Sequence, residues 1–201
     1  MRKLLVATRN RGKVREYEEL LHGLPLELTS LEAEGIGLEP EETGETCAEN
    51  ALRKARAYAA ASGLLTWADD SALEVDALGG APGVHSSRYA GAGASDEERY
   101  RLLLRNLEGV PWEKRTARFR CVIAIVEPGG KAHTAEGTCE GIIAFSPRGH
   151  NGFGYDPIFY LPDRQCTMAE LTPLEKNQIS HRARAARAAR RILAEMVGSQ
   201  E

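Results

Sequence analysis

Three times along the chain a serine or threonine is followed, three residues later, by a glutamate at the head of a helix-periodic run. The segments are Thr46-Cys47-Ala48-Glu49, Ser95-Asp96-Glu97-Glu98 and Thr172-Pro173-Leu174-Glu175. In such a box the hydroxyl accepts from an orphaned amide of the first turn, and the glutamate reaches back to the capping residue's own N–H. Helix starts are thereby fixed at three places, and Pro173 stands at the first helical position of the last. The alanine-rich helix opened at Thr46 is predicted to reach Ser62, with Gly63 as a left-handed stop. The second helix runs to about Asn106, and the basic, alanine-rich segment after Thr172 is predicted helical to Met196.

The stretches between these helices are strand-like. Residues 3–7 form a short apolar run, and residues 12–22 follow as a helix with Val14, Tyr17, Leu20 and Leu21 on one side. Residues 25–31 and 64–68 read as further strands, the latter ending at Asp69-Asp70-Ser71. Residues 78–95 are glycine-rich and predict a loop, and residues 116–127 and 132–145 predict a hairpin about Pro128-Gly129-Gly130-Lys131. Helices first and a long hairpin later predict an α/β fold with a mixed sheet. No repeat or interior break in composition divides the chain, so residues 1–201 are expected to form a single domain.

With 42% hydrophobic and 27% charged residues, disorder is excluded, and no apolar run approaches the ~18 residues of a membrane span. Cys47, Cys121, Cys139 and Cys166 are widely spaced and form no CxxC pair, which argues against a disulfide framework or zinc ribbon and for the cytoplasm. The net charge of −3 is unevenly spread. Residues 29–52 carry Glu32, Glu34, Glu39, Glu41, Glu42, Glu45 and Glu49 with no Lys or Arg, whereas residues 176–191 are basic with no carboxylate. One region suits a cation and the other an anion, the pairing that a metal–polyphosphate substrate requires.

Four segments hold candidate chemistry. Thr8-Arg9-Asn10-Arg11-Gly12-Lys13 joins a strand to a helix, where free amides, polar side chains and Lys13 suit phosphate. It is not a Walker A loop, because Ala7 and Val14 occupy the positions of its first glycine and its hydroxyl residue. Asp69-Asp70-Ser71 at a strand end suits Mg²⁺, with one carboxylate left to orient or deprotonate water; a solvated turn pair is the bland alternative. In Gly152-Phe153-Gly154-Tyr155-Asp156-Pro157 the glycines allow close approach to a flat ligand on which Phe153 stacks; a tight turn around a buried aromatic competes with this. Lys176 with Ser180-His181-Arg182 at a helix start presents donors to a carbonyl or phosphate.

Taken together and in order, these segments carry a resemblance. Thr8-x-Asn10-x-x-Lys13, Glu41-Glu42-Thr43-Gly44 with Glu49-Asn50-Ala51, and Ala68-Asp69-Asp70-Ser71 come first. Leu78-Gly79-Gly80-Ala81-Pro82-Gly83 with Ser87-Arg88-Tyr89, Phe153 to Pro157, and Glu175-Lys176 with Ser180-His181-Arg182 follow. Over nearly its whole length the chain resembles the inosine/xanthosine triphosphate pyrophosphatases. The resemblance implies an elongated α/β fold with a long mixed sheet, two lobes, a central substrate cleft and a homodimer. It implies Mg²⁺-dependent cleavage of ITP, dITP and XTP to the monophosphate and pyrophosphate. Asp70 then matches the general base and a metal ligand, and Glu41 the second metal carboxylate. Thr8, Arg9, Asn10, Arg11, Gly12 and Lys13 match the triphosphate turn. Ser71, Phe153, Gly154, Tyr155, Asp156, Lys176, His181 and Arg182 match substrate contacts; donors from His181 or Arg182 suit the 6-oxo group of the base, with phosphate binding the alternative for Arg182. Ala72 replaces a common glycine and Cys47 a larger apolar residue, both away from the proposed catalytic groups. Whether Asp69 or Asp70 takes the proton stays open. The rivals are a pyrophosphatase for other modified nucleotides and a nucleic-acid-binding protein using the arginine-rich last helix. Overall acidity and few interleaved aromatics oppose the second, so no nucleic-acid or membrane partner is expected.

Overall fold

The computed structural model describes residues 1–198. Strand β1 (Arg2–Val6) buries the consecutive Leu4, Leu5 and Val6, which is the pattern of a strand covered on both faces. It pairs in parallel with β2 (Leu26–Ser30), Leu4 opposite Leu28, and with β3 (Leu65–Val75), Leu4 opposite Leu65. Parallel neighbours need crossover connections, supplied by α1 (Arg11–Leu20) between β1 and β2 and by α2 (Cys47–Ser62) before β3. The chain continues through β4 (Pro82–Gly83), α3 (Asp96–Asn106), β5 (Thr116–Val126), β6 (Ala132–Ile143), β7 (Phe159–Leu161) and β8 (Cys166–Thr167). It closes with α4 (Pro173–Ile179) and α5 (His181–Gly198). The described residues form an eight-stranded sheet in the order β2-β1-β3-β5-β6-β7-β8, with β4 against β3. Antiparallel pairing of β3 with β4, β6 with β7 and β7 with β8 makes it mixed, as the sequence predicts.

The capping signals place the helices well. Ser95 and Thr172 form complete boxes with Glu98 and Glu175. At Thr46 only half a box forms. The hydroxyl accepts from Glu49 N–H at 3.2 Å, but the Glu49 carboxylate reaches past Thr46 to the Glu45 amide at 2.8 Å. Gly63 ends α2 at φ 66°, the left-handed stop expected of it.

Two expectations need correction. β3 does not end at the aspartates but continues to Val75, because Leu73 and Glu74 gain a partner strand in β4 and Leu73 and Val75 are fully buried. The basic segment after Thr172 is two helices, not one. Ser180 adopts an extended conformation (φ −62°, ψ 156°), the geometry of a helix-capping serine, so His181 and Arg182 fall in the first turn of a new helix. The glycine-rich stretch of residues 78–95 also contains the short pairing of β4 and a single turn of 3-10 helix at Ser86–Arg88.

The chain forms two compact units. One comprises Met1–Asp70, Cys121–Gly137 and the chain from His181. Its core gathers Leu4, Trp67, Ile123, Ile125, Ala186 and Leu193 around Tyr17, whose ring meets Trp67 edge-on at 5.3 Å. α5 buries Ala183, Ala185, Ala186 and Ala189, a stripe small enough for very close packing. At Gly137 of β6 an added Cβ would lie 2.3 Å from both Ala185 N and His181 O, so only glycine lets the strand meet the first turn of α5. The other unit comprises Ser71–Arg120 and Thr138–Ser180. Its core holds Leu73, Leu103, Ile143 and Met168 with Phe119 and Phe159, whose ring centroids are 4.3 Å apart.

Candidate active site

In the first unit the functional side chains are set by β3. Successive side chains of a strand point to opposite faces, so Asp69 and Asp70, though adjacent, do not share one environment. Asp69 accepts from Lys13 Nζ at 2.7 Å, lies 3.9 Å from Arg182 Nε, and has the Cys121 thiol 4.0 Å away. Asp70 faces α2, where Lys54 Nζ stands 3.2 Å from Oδ1 and Asn50 Nδ2 3.4 Å from Oδ2. Lys54 also pairs with Glu42 at 2.6 Å.

These surroundings drive the carboxyls apart. Burial pushes Asp69 up, but Lys13, Arg182 and Lys54 together outweigh it and hold the group down at about 2. Asp70 is raised: burial lifts it, Glu42 and Asp69 add to the lift, and Lys54 and Lys13 only partly offset it. Burial alone would lower Lys54, yet the attraction of Asp70, Asp69 and Glu42 carries it above the ordinary lysine range. The strand thus presents one carboxylate held ionised by its cationic neighbours and one that takes a proton more readily.

α1 brings the triphosphate-turn candidate to this face. Thr8 Oγ1 accepts from Asn10 N–H at 3.2 Å, and Asn10 Oδ1 caps the helix by accepting from Gly12 N–H at 2.8 Å and Lys13 N–H at 3.2 Å. The cap therefore occupies two of the amides that the sequence reading left for phosphate. Arg9 pairs with Glu39 at 3.1 Å and donates to the carbonyls of Ile36 and Leu38, and Arg11 is exposed. One helical turn beyond Lys13, Glu16 pairs with Arg182 at 2.7 Å. Arg182 is thus deep and carboxylate-bound: burial lowers its guanidinium, but Glu16, Tyr17 and Asp69 raise it well above its usual range. His181 is buried beside it in sequence at the start of α5.

The carboxylate oxygens of Asp70 and Glu42 are hard donors of the kind Mg²⁺ takes. Among the described residues no group of three or more His, Cys, Asp or Glu side chains is placed to hold a metal. Mg²⁺ is commonly bound through one or two carboxylates with substrate phosphates and water completing the shell, so this donor set fits it. Glu41, the expected second metal carboxylate, is exposed, and its neighbour Glu42 is the acid that meets Lys54.

The second unit assembles the aromatic candidate. Gly152 and Gly154 adopt φ 77° and 66° on either side of Phe153. A Cβ at Gly152 would fall 2.1 Å from Asp156 Oδ2, so the turn closes only on glycine. Asp156 Oδ2 accepts from Phe153 N–H at 2.9 Å and from Lys176 Nζ at 2.6 Å, and the Lys176 ammonium lies 4.6 Å above the centre of the Phe153 ring. Lys176 and Asp156 are almost wholly buried, whereas Phe153 keeps part of its surface. Tyr155 is core: its hydroxyl donates to Ser86 O at 2.8 Å, and burial raises its ionisation above the usual phenol range. Ser71 follows Asp70 on β3 and is half-buried.

Lys54 and Glu16 stand outside the sequence motifs, and Glu42 and Asn50, though inside them, carry no role there. A signal for Lys54 and Asn50 exists: Asn50 is fully buried among Cys47, Ala51 and Ala55 on α2, and Lys54 is four residues on, hence on the same face. Glu16 stands three residues after Lys13, again one helical turn away.

Comparison with known proteins agrees with this architecture. The Ham1 family profile matches residues 4–192. A dITP/XTP pyrophosphatase of Desulforamulus reducens is 52% identical over 199 residues, covering 99% of each chain. One from Geobacter sulfurreducens is 55% identical over 186 residues, covering 92% of this chain and 93% of its own. The solved HAM1 protein of Coxiella burnetii superposes with a TM-score of 0.89 at 46% identity, covering 97% of this chain and all of that one.

Proposed function

The chain belongs to the Ham1 family, and from that premise we propose that it hydrolyses ITP, dITP and XTP to the nucleoside monophosphate and pyrophosphate. The observation that carries this reading is the pair of adjacent carboxylates on opposite faces of β3, each with its own lysine and with opposite proton affinities. Asp70 accepts the proton of the attacking water. Its raised affinity brings it closer to the working pH than an ordinary aspartate, which favours general-base catalysis. The water oxygen bonds to the α-phosphorus, the bond from that phosphorus to the bridging oxygen breaks, and pyrophosphate departs. Asp69 stays ionised, holds Lys13 and is itself backed by Arg182, so the lysine is aimed rather than free to swing. Lys54 keeps a positive charge beside Asp70 and Glu42.

Mg²⁺ would be held by Asp70 and an acid of the Glu41–Glu42 pair, and when bound it supplies charge neutralisation for the triphosphate and the leaving pyrophosphate. Thr8, Arg9, Asn10, Arg11, Gly12 and Lys13 are assigned to the phosphates. Ser71, Phe153, Gly154, Tyr155, Asp156, Lys176 and His181 are assigned to the rest of the nucleotide, with Tyr155 and Asp156 acting by shaping the Phe153 turn. Arg182 is assigned a supporting role through Asp69. We take residues 1–201 as one functional domain acting as a homodimer in the cytoplasm; residues 199–201 lie outside the described residues. Among the described residues no helix is long and apolar enough to cross a membrane. The test is a product assay over a panel of nucleoside triphosphates with Mg²⁺. Equimolar monophosphate and pyrophosphate from ITP, dITP and XTP, with little turnover of ATP or GTP, is the expected result. Preference for a modified pyrimidine nucleotide would redirect the substrate assignment.

A further inference from the structure

The Phe153 turn has glycine on both sides of its aromatic residue, each at positive φ. Glycine restricts the backbone least, so the ring's place is set by what holds the turn's amides. Asp156, from the same turn, takes the Phe153 N–H at 2.9 Å. The next amide, that of Gly154, donates at 2.6 Å to Oδ2 of Asp96, a residue 58 positions earlier in the chain. Asp96 is the first residue of α3, and the Ser95–Glu98 capping box fixes that helix start. Its other oxygen, Oδ1, pairs with Arg99 one helical turn on, and Arg99 also donates to the carbonyl of Ser87. Tyr155 ties the same turn to the neighbouring carbonyl, that of Ser86. Two successive amides of the turn are therefore clamped by two carboxylates, one local and one anchored on a separate helix.

We propose that Asp96 is a positioning residue for nucleotide binding, fixing the Phe153 ring by holding the Gly154 amide from the capped start of α3. This rests on the functional reading above, in which Phe153 addresses the base. A carboxylate–amide hydrogen bond is charge-assisted and among the stronger single contacts available to a loop. Its loss frees one end of a turn whose glycines offer no resistance, and binding then bears the cost of ordering it.

The experiment compares Asp96→Ala and Asp96→Asn with the wild type, following ITP kinetics, thermal stability and hydrogen exchange of the Gly154 amide. Asp96→Ala should raise KM for ITP by roughly tenfold while kcat stays within about twofold, because a positioning contact made equally in ground and transition states affects KM alone. Gly154 exchange should accelerate in the same variant. Asp96→Asn keeps an oxygen for Gly154, without the charge assistance and with an NH2 where Arg99 had an acceptor, so it should recover part of the wild-type KM. A merely structural role would lower kcat and melting temperature together and leave the asparagine variant equally impaired, and that pattern would overturn the proposal. Unchanged Gly154 exchange in Asp96→Ala would overturn it as well, whatever the substrate. A wild-type protein inactive on ITP, dITP and XTP would instead overturn the functional reading, a result distinguishable because the exchange measurement does not depend on turnover.

Discussion

At the scale of single residues the chemistry turns on Asp69 and Asp70 having different neighbours. Replacing Asp70 by asparagine keeps the shape and removes the proton acceptor, so turnover should fall by about 10²–10⁴-fold. Burial raises the proton affinity of Asp70, so its ionisation weighs against folding as pH rises, whereas its attraction raises that of Lys54 and favours the pair. The variant should still fold, because Glu42 continues to hold Lys54. A variant that folds and keeps near-wild-type turnover would remove Asp70 from the mechanism. Asp69 has the opposite sign. Held at about 2 against an unfolded value of ~3.9, it contributes roughly 2–3 kcal/mol that is present above pH 4 and lost as pH falls toward 2. Chemical denaturation from pH 5 to pH 2 should therefore show a slope in the wild type that flattens in Asp69→Asn; parallel slopes would contradict it. The sequence carried the identity of this pair but not its split, since adjacency alone suggests two carboxylates sharing a cation. The split required knowing that β3 continues past them, which aspartate's poor strand propensity conceals. Lys54 was hidden for a related reason: its two carboxylate partners, Glu42 and Asp70, lie 12 and 16 residues away on either side, and no local pattern joins them.

Among the elements, local signals placed what local chemistry decides. Caps at Thr46, Ser95 and Thr172 and the stop at Gly63 lie where the sequence puts them, because a hydroxyl or a left-handed glycine acts within a few residues. The break between α4 and α5 was masked because no Gly or Pro interrupts residues 174–196, and it took the extended Ser180 to divide them. That break sets His181 and Arg182 in a first turn pressed directly on β6 at Gly137. Gly137→Ala tests the contact. The added carbon would meet backbone atoms at 2.3 Å, which cannot rotate aside, so strand and helix must part. A loss of roughly 1–3 kcal/mol is expected from overpacking alone. ITP turnover should drop further than that loss explains, because Arg182 shifts from Asp69. Calorimetry beside ITP kinetics checks both, and a variant with wild-type melting and activity would show that α5 has room to yield.

For the whole molecule, the two compact units each have a core of their own, yet each is assembled from separate stretches of chain, which is why composition gave no boundary between them. The mixed sheet was legible from the element order, and its membership of the Ham1 family accords with motifs that run from Thr8 to Arg182 in one order. In the proposed reaction the chain directs water to the α-phosphorus of a non-canonical purine triphosphate. Hydrolysis of ITP with Mg²⁺ in ¹⁸O-water, followed by mass analysis of both products, tests it most directly. IMP and pyrophosphate should form in equal amounts, with the label on the phosphate of IMP. Label confined to pyrophosphate, or release of IDP and orthophosphate, would contradict it.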